Sequence, residues 1–307
     1  MKMRLLLTFS LFLSSLVSLV AAPASYIIVD NQSGFILEQR NANSKMQVAS
    51  LTKVAAAVVV LDAEDMKLLS LGARVPVTQA AVNAAGTSTT GLQVGDVLSI
   101  RDLIYAALLG SDNIAAATLA DHVGRKLQNV TGLDSIGNFV SHMNALARNL
   151  GMRNTRFLNP TGLDNYEKAL PYSTAADMAR LTRYAYTSPD FPFYVAQTSR
   201  NVEIFRNGQA LTVNVKNTNI LLGQNDIDGV KTGTTQRSGE CLILSSGQQP
   251  EVVRHDSGVV LTPRRIIVVS LKSQDRFREG LGLIQRGWGL YNRWASEGRH
   301  VQESNVL

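Results

Sequence analysis

Apolar and polar positions along the chain change their spacing several times. The first change comes early, where Leu5 to Val20 is a nearly unbroken apolar run behind Lys2 and Arg4 and ahead of the small residues Ala21-Ala22-Pro23-Ala24. A basic start, an apolar middle and a small-residue end predict a secretory signal peptide over residues 1–24, cut after Ala22 or Ala24. The alternative, a retained anchor, has a short apolar stretch against the roughly 20 residues that a span needs.

Beyond it, Ser25 to Val29 and Phe35 to Glu38 are β-prone runs around an Asn/Gly-containing turn, which predicts an antiparallel hairpin. Ser50 to about Leu71 contains no Gly or Pro and is rich in Ala, Leu, Val and Met, so a long buried helix capped by Ser50 is expected. Gly72 to Thr90 is weakly periodic and reads as loops and short strands. Helices are predicted over Ser99–Leu109, with Ser99 as cap and Asp102 at the capping-box position, and over Ile114–Val123, Ile136–Leu150 and Thr174–Tyr186. Short β-prone runs then dominate, at Leu211–Val215, Gly229–Thr232, Cys241–Ser245 and Arg265–Ser270. Apolar residues return to helical spacing from Arg276 to Trp294.

Strands at both ends and helices between them predict an α+β fold. Its antiparallel sheet of about five strands is covered by helices, with a mainly helical subdomain inserted. One domain over 25–300 is expected, with no second C-terminal domain.

Charge and cysteine content narrow the field. The formal net charge of +6 falls to +4 once Lys2 and Arg4 are removed. The basic residues are scattered rather than clustered, which gives no footprint for nucleic acid. The single cysteine, Cys241, sits in a strand-like run and is expected in the core. The four histidines stand far apart without metal-ligand spacing, so no metal and no cofactor is expected.

Chemistry is carried by three short motifs in series: Ser50-Leu51-Thr52-Lys53, Ser111-Asp112-Asn113 and Lys231-Thr232-Gly233. Each alone is weak; S-x-x-K arises about once by accident in a chain of this length. Their structural contexts add information: a helix start, the end of a helix and a β run. Positions i and i+3 share a helix face, so Lys53 can bring its amine to the Ser50 hydroxyl. A lysine acts as a base near pH 7 only if burial or a second cation lowers its pKa by about 3 units. Lys231 is the candidate cation. Ser111 can relay a proton to the leaving amine, and Asn113 can orient the substrate or Lys53. Lys231, Thr232 and Thr234 can line a strand edge that pairs with an extended peptide, Gly233 leaving room for the approach. The backbone N–H groups of Ser50 and Thr234 are the expected oxyanion donors.

These motifs together resemble the serine-type D-alanyl-D-alanine carboxypeptidases, the low-molecular-mass penicillin-binding proteins. The likeness runs from about Tyr26 to Tyr291 and includes Asn159-Pro160-Thr161-Gly162-Leu163 and Asp228 to Thr235. The resemblance implies a β-lactamase/transpeptidase-like fold and an extracytoplasmic, for example periplasmic, location. It implies removal of the terminal D-alanine from peptidoglycan stem peptide, and covalent inhibition by β-lactam antibiotics. It gives Ser50 the role of nucleophile, Lys53 of base, Ser111 of proton relay and Lys231 of substrate contact. It also makes Arg278 the arginine that holds the terminal carboxylate. A D,D-endopeptidase cutting crosslinks is the second reading. A class A β-lactamase shares the motifs, but the segment around its candidate deacylating residue, Glu167, has Pro171 where that family has asparagine. Three departures from the pattern stand out. The chain ends soon after Trp294 without the C-terminal amphipathic anchor of many members, so no stable membrane anchor is expected after signal cleavage; Asp112 stands where a small residue is common; and Arg237-Ser238 replaces the usual small pair.

Overall fold

Alternate residues of the first strand face two different cores. In the computed structural model, which describes residues 23–164, 169–255 and 258–307, β1 (Ser25–Asp30) is buried along its whole length. Ile27 and Val29 join the large core built mainly from helices, while Tyr26 and Ile28 join a second core with Trp288 and Tyr291. A strand can be apolar on successive residues in this way only when both faces of its sheet are covered. The signal segment predicted for residues 1–24 lies almost wholly outside the described residues, as does Glu167.

The hairpin partner is β2 (Ile36–Arg40). The nucleophile candidate follows on a single 3-10 turn, Ala49–Leu51, that leads into α1 (Thr52–Asp65). Then come β3 (Arg74–Pro76), α2 (Gln79–Ala85), β4 (Val97–Ser99), α3 (Ile100–Leu108), α4 (Asn113–Gly124), α5 (Ser135–Asn149), α6 (Ala175–Ala185) and α7 (Phe191–Val195). The chain closes with β5 (Ser199–Arg206), β6 (Gln209–Lys216), β7 (Ile227–Thr235), β8 (Gly239–His255), β9 (Gly258–Ser273) and α8 (Arg276–Ser296).

Five strands form an antiparallel sheet in the order β2-β1-β9-β8-β7. The helical region covers one face and α8 the other, so the expected α+β architecture with about five strands is present. Gly280 and Gly287, two turns apart, let α8 lie close to the sheet. A Cβ on Gly287 would stand 2.9 Å from side-chain atoms of both Ile28 and Ile266. Each helical glycine costs about 1 kcal/mol relative to alanine, and the apolar burial of Leu283, Ile284 and Trp288 beneath them outweighs that cost at about 1.5–3 kcal/mol per side chain.

Four expectations change. The first helix stops at Asp65, and Ser50 does not cap it: no side chain accepts a hydrogen bond at its start. The stretch Gly72 to Thr90 holds a short helix, α2, capped by Thr78, as well as β3. The run Leu211–Val215 does not join the main sheet. It belongs to β6, which pairs with β5 across the Asn207-Gly208 turn in a separate four-stranded sheet ordered β3-β4-β5-β6. Both turn residues have positive φ, 50° and 80°, the geometry of a two-residue hairpin loop. Finally, β8 and β9 extend far past the predicted cores of their strands and stay paired out to His255 and Gly258.

Candidate active site

Three segments meet where α1 begins. The 3-10 turn holds Ser50 partly exposed at its centre, and one helical turn later Lys53 is 1% exposed. Lys53 Nζ donates to Ser50 Oγ at 2.9 Å, to Asn113 Oδ1 at 2.8 Å and to the Thr161 carbonyl at 2.9 Å. Burial lowers its amine to about 7, and the carboxylate of Asp112 opposes that shift. Desolvation is thus the main cause of the lowering, as the apolar setting of Val54, Ala55 and Ala56 suggests.

Asn113 and Thr161 Oδ1 and O atoms are acceptors only. A neutral Lys53 therefore spends its two N–H bonds on them, which leaves the lone pair facing the Ser50 hydroxyl. The arrangement poises the serine for deprotonation.

The second motif is positioned by its aspartate. Asp112 is fully buried and caps α4 by accepting from Ala115 N at 2.8 Å. Its other oxygen accepts from Ser88 Oγ, Thr90 N and Thr90 Oγ1 at 2.5, 2.8 and 2.7 Å. One side chain thus ties the Ser88–Thr90 loop to the motif, while Asn113 Nδ2 reaches Thr87 Oγ1 at 3.3 Å. Ser111 sits in the preceding turn with φ 58°. Its hydroxyl bonds to neither lysine among the described hydrogen bonds and stays available to a bound peptide.

The third motif lies on β7, the strand at one edge of the main sheet. Lys231 is 1% exposed, and its Nζ donates to Thr232 O at 3.0 Å. Burial first, and then the charges of Lys53 and Arg276, hold its amine well below the ordinary lysine range. The expected lowering of Lys53 by Lys231 is not seen: the repulsion between the two lysines lowers Lys231 instead, and burial alone lowers Lys53. Thr232 donates to Thr218 Oγ1 at 2.7 Å. Gly233 serves a different neighbour from the one expected. A Cβ there would meet Ser50 N at 2.9 Å and Ala49 Cβ at 3.1 Å, so the missing side chain makes room for the nucleophile's own turn.

Arg278 is not at the site. Its side chain is exposed, and only its backbone N–H is engaged, by the Asp275 cap of α8. Arg276 takes the place instead: its Nη1 donates to Gly233 O at 2.9 Å and Thr234 Oγ1 at 2.5 Å. The two arginines are about 200° apart around the helix, so only one can face β7.

Two further contributions come from a turn that the sequence identified without giving it a role. Asn159 Oδ1 accepts from Thr161 N, Thr161 Oγ1 and Gly162 N at 3.0, 2.8 and 2.6 Å, and so fixes the carbonyl that Lys53 meets. Gly162 has φ 87°, and a Cβ on it would lie 1.8 Å from Ala49 O. No other residue fits that close approach to the nucleophile's turn. Among the described residues no group of three His, Cys, Asp or Glu side chains is arranged to hold a metal ion. Cys241 is buried in the core, as expected.

Comparison with known proteins places this site in a family. Residues 17–258 match the model of peptidase family S11, described as D-alanyl-D-alanine carboxypeptidase. The chain is 34% identical over 227 residues to the D-alanyl-D-alanine endopeptidase of Pseudomonas aeruginosa, covering 73% of this chain and 66% of that protein. It is 33% identical to the D-alanyl-D-alanine carboxypeptidase DacC of Escherichia coli, covering 73% of this chain and 53% of the relative. The matched part thus spans between half and two thirds of these relatives. Among solved structures, the Streptomyces K15 DD-transpeptidase superposes with a TM-score of 0.73 at 28% identity, over 87% of this chain and 97% of the other. Penicillin-binding protein D2 of Listeria monocytogenes, in its ampicillin-bound form, superposes with a TM-score of 0.68 at 26% identity, over 87% of this chain and 97% of the other. With the motif residues gathered on this fold, the chain belongs to the D-alanyl-D-alanine carboxypeptidase family, peptidase family S11.

Proposed function

We propose that the protein is an exported serine D,D-peptidase that cleaves the D-alanyl-D-alanine bond of peptidoglycan stem peptide through an acyl-enzyme on Ser50. The observation that carries this reading is the three-way bonding of Lys53, which presents a buried amine of lowered basicity to the Ser50 hydroxyl.

In this mechanism Lys53 takes the Ser50 proton as Oγ attacks the carbonyl of the penultimate D-alanine. The oxyanion is met by the N–H groups of Ser50 and Thr234. The leaving D-alanine amine receives its proton from Lys53 through the Ser111 hydroxyl, with Lys231 close by to support the relay. The substrate lies along the free edge of β7. Its terminal carboxylate is held by Arg276 and the Thr234 hydroxyl, with Thr232 and Lys231 beside it. Water then replaces the departed amine, and the same lysine activates it to release the shortened peptide. A β-lactam ring presents its strained amide to Ser50 in the place of the peptide bond and forms a long-lived acyl-enzyme. No metal or cofactor enters the scheme.

The test is to incubate the purified protein with stem pentapeptide ending in D-Ala-D-Ala and measure released D-alanine. Release that disappears in Ser50→Ala is expected; absence of release from both pentapeptide and crosslinked dimer would refute the proposal. The second reading, a D,D-endopeptidase, is favoured by two relatives, at 34% and 31% identity, that are both named D-alanyl-D-alanine endopeptidase. Faster cleavage of crosslinked dimers than of pentapeptide selects it.

A further inference from the structure

The first helix ends against its own dipole. The last turn of α1 carries Asp62, Glu64 and Asp65 and no basic residue, although the carbonyl end of a helix favours cations and repels carboxylates. Asp62 is half-buried there. Its oxygens meet the Tyr184 hydroxyl at 3.3 and 3.4 Å, long for an O–H···O bond. No ion pair involves Asp62 among the described residues. Burial, with a further contribution from Asp65, pushes the carboxyl up to about 6.

A cavity of about 420 Å³ opens onto this carboxylate, walled by Leu127, Leu146 and Leu150 and edged by Asn149. A smaller one, of about 100 Å³, is also lined by Asp62, Asp65 and Tyr184. The ring of His142 also lines the larger cavity, but its Nε2 is bonded to Gln128 O at 2.9 Å rather than to the acid. The site is therefore an apolar slot with an uncompensated negative end. A hard metal ion does not suit it, since six to eight oxygens are needed and the walls are hydrocarbon. An anion is repelled.

We infer that the slot binds a primary ammonium carried on a short aliphatic chain, with the nitrogen on Asp62 and the chain against the leucine wall. The ammonium adds the cation that the helix end lacks, and the chain covers apolar surface that is otherwise wet. Asp62 lies on the same helix as Lys53, about 13 Å further along its axis, so the slot is separate from the peptide cleft. The amine can belong to a free alkylamine or to the side chain of a diamino acid in a wall peptide.

Isothermal titration of the full chain with n-pentylammonium chloride, and with n-pentanol as its uncharged match, tests the assignment. The ammonium is expected to saturate one site and to bind roughly tenfold tighter than the alcohol. In Asp62→Asn that difference is expected to vanish, with a circular-dichroism melt confirming that the variant is folded. A competition arm with L-Ala-γ-D-Glu-L-Lys separates the sources: displacement assigns the slot to wall peptide, and failure to displace a saturating alkylammonium assigns it to free amines. Equal binding of ammonium and alcohol by the unaltered protein, or no saturable binding of either, overturns the inference whatever the variant does.

Discussion

Lys53 and Thr161 lie 108 positions apart, yet the lysine Nζ donates to the threonine carbonyl at 2.9 Å. That bond turns a helix residue into a base with a fixed direction, because the carbonyl and Asn113 Oδ1 use two of its three positions and Ser50 Oγ takes the third.

Acylation should depend on pH through Lys53. Its amine titrates near 7, and only the neutral form accepts the serine proton, so the rate with labelled penicillin is expected to rise from pH 5.5 to 8.5 through an apparent pKa of about 7. Asp112 holds that value up, so Asp112→Asn should move the midpoint to lower pH. A midpoint that moves upward in the variant contradicts the assignment.

Gly162→Ala should be far more damaging than another glycine substitution with similar backbone geometry. At Gly162 the new methyl meets the Ala49 carbonyl, whereas at Gly208, with φ 80°, nothing lies within 4 Å. Gly208→Ala is expected to cost about 1 kcal/mol in thermal or urea unfolding and to leave acylation unchanged. Gly162→Ala should cost about 3 kcal/mol or more and slow acylation at least 100-fold.

The two arginines at the start of α8 should separate cleanly. Arg276→Ala removes the guanidinium that bonds Gly233 O and Thr234 Oγ1 and is expected to raise KM for a peptide with a free terminal carboxylate about 10- to 100-fold. Arg278→Ala is exposed and away from β7, and its kinetics should match the unaltered protein. Steady-state measurement on a D-Ala-D-Ala peptide checks both.

Asp112→Ala should destabilise the protein as well as slow it. The change strips partners from Ala115 N, Thr90 N and the hydroxyls of Ser88 and Thr90 in a buried place, at a cost of about 2–4 kcal/mol. Urea unfolding gives the number. A loss under 0.5 kcal/mol would mean that the Ser88–Thr90 loop is held by other contacts.

Features decided within one or two helical turns were readable from the sequence. Ser50 and Lys53 come together by their i, i+3 spacing alone, across the 3-10 turn and the start of α1, and Thr174 and Ser99 cap the helices they precede. What depended on distant chain could not be read that way. The Asn159–Gly162 turn was visible as a turn, but nothing local says that its Thr161 carbonyl faces an amine on α1. The assignment to Arg278 failed for a geometric reason. Asp275 caps α8 and fixes its phase, which turns position 276 toward β7 and position 278 to solvent. The strand Ser199–Arg206 carries little apolar signal because most of its residues are polar or exposed, although Asn207-Gly208 after it is a strong hairpin signal. Gly233 was recognised as a place of close approach, but only the folded chain identifies the neighbour as Ser50's own turn.

Mass spectrometry of the protein after exposure to a fluorescent penicillin tests the central claim most directly. One covalent adduct is expected, on the peptide containing Ser50, lost in Ser50→Ala and formed far more slowly in Lys53→Met. An adduct on another residue, or undiminished labelling of Ser50→Ala, would contradict it.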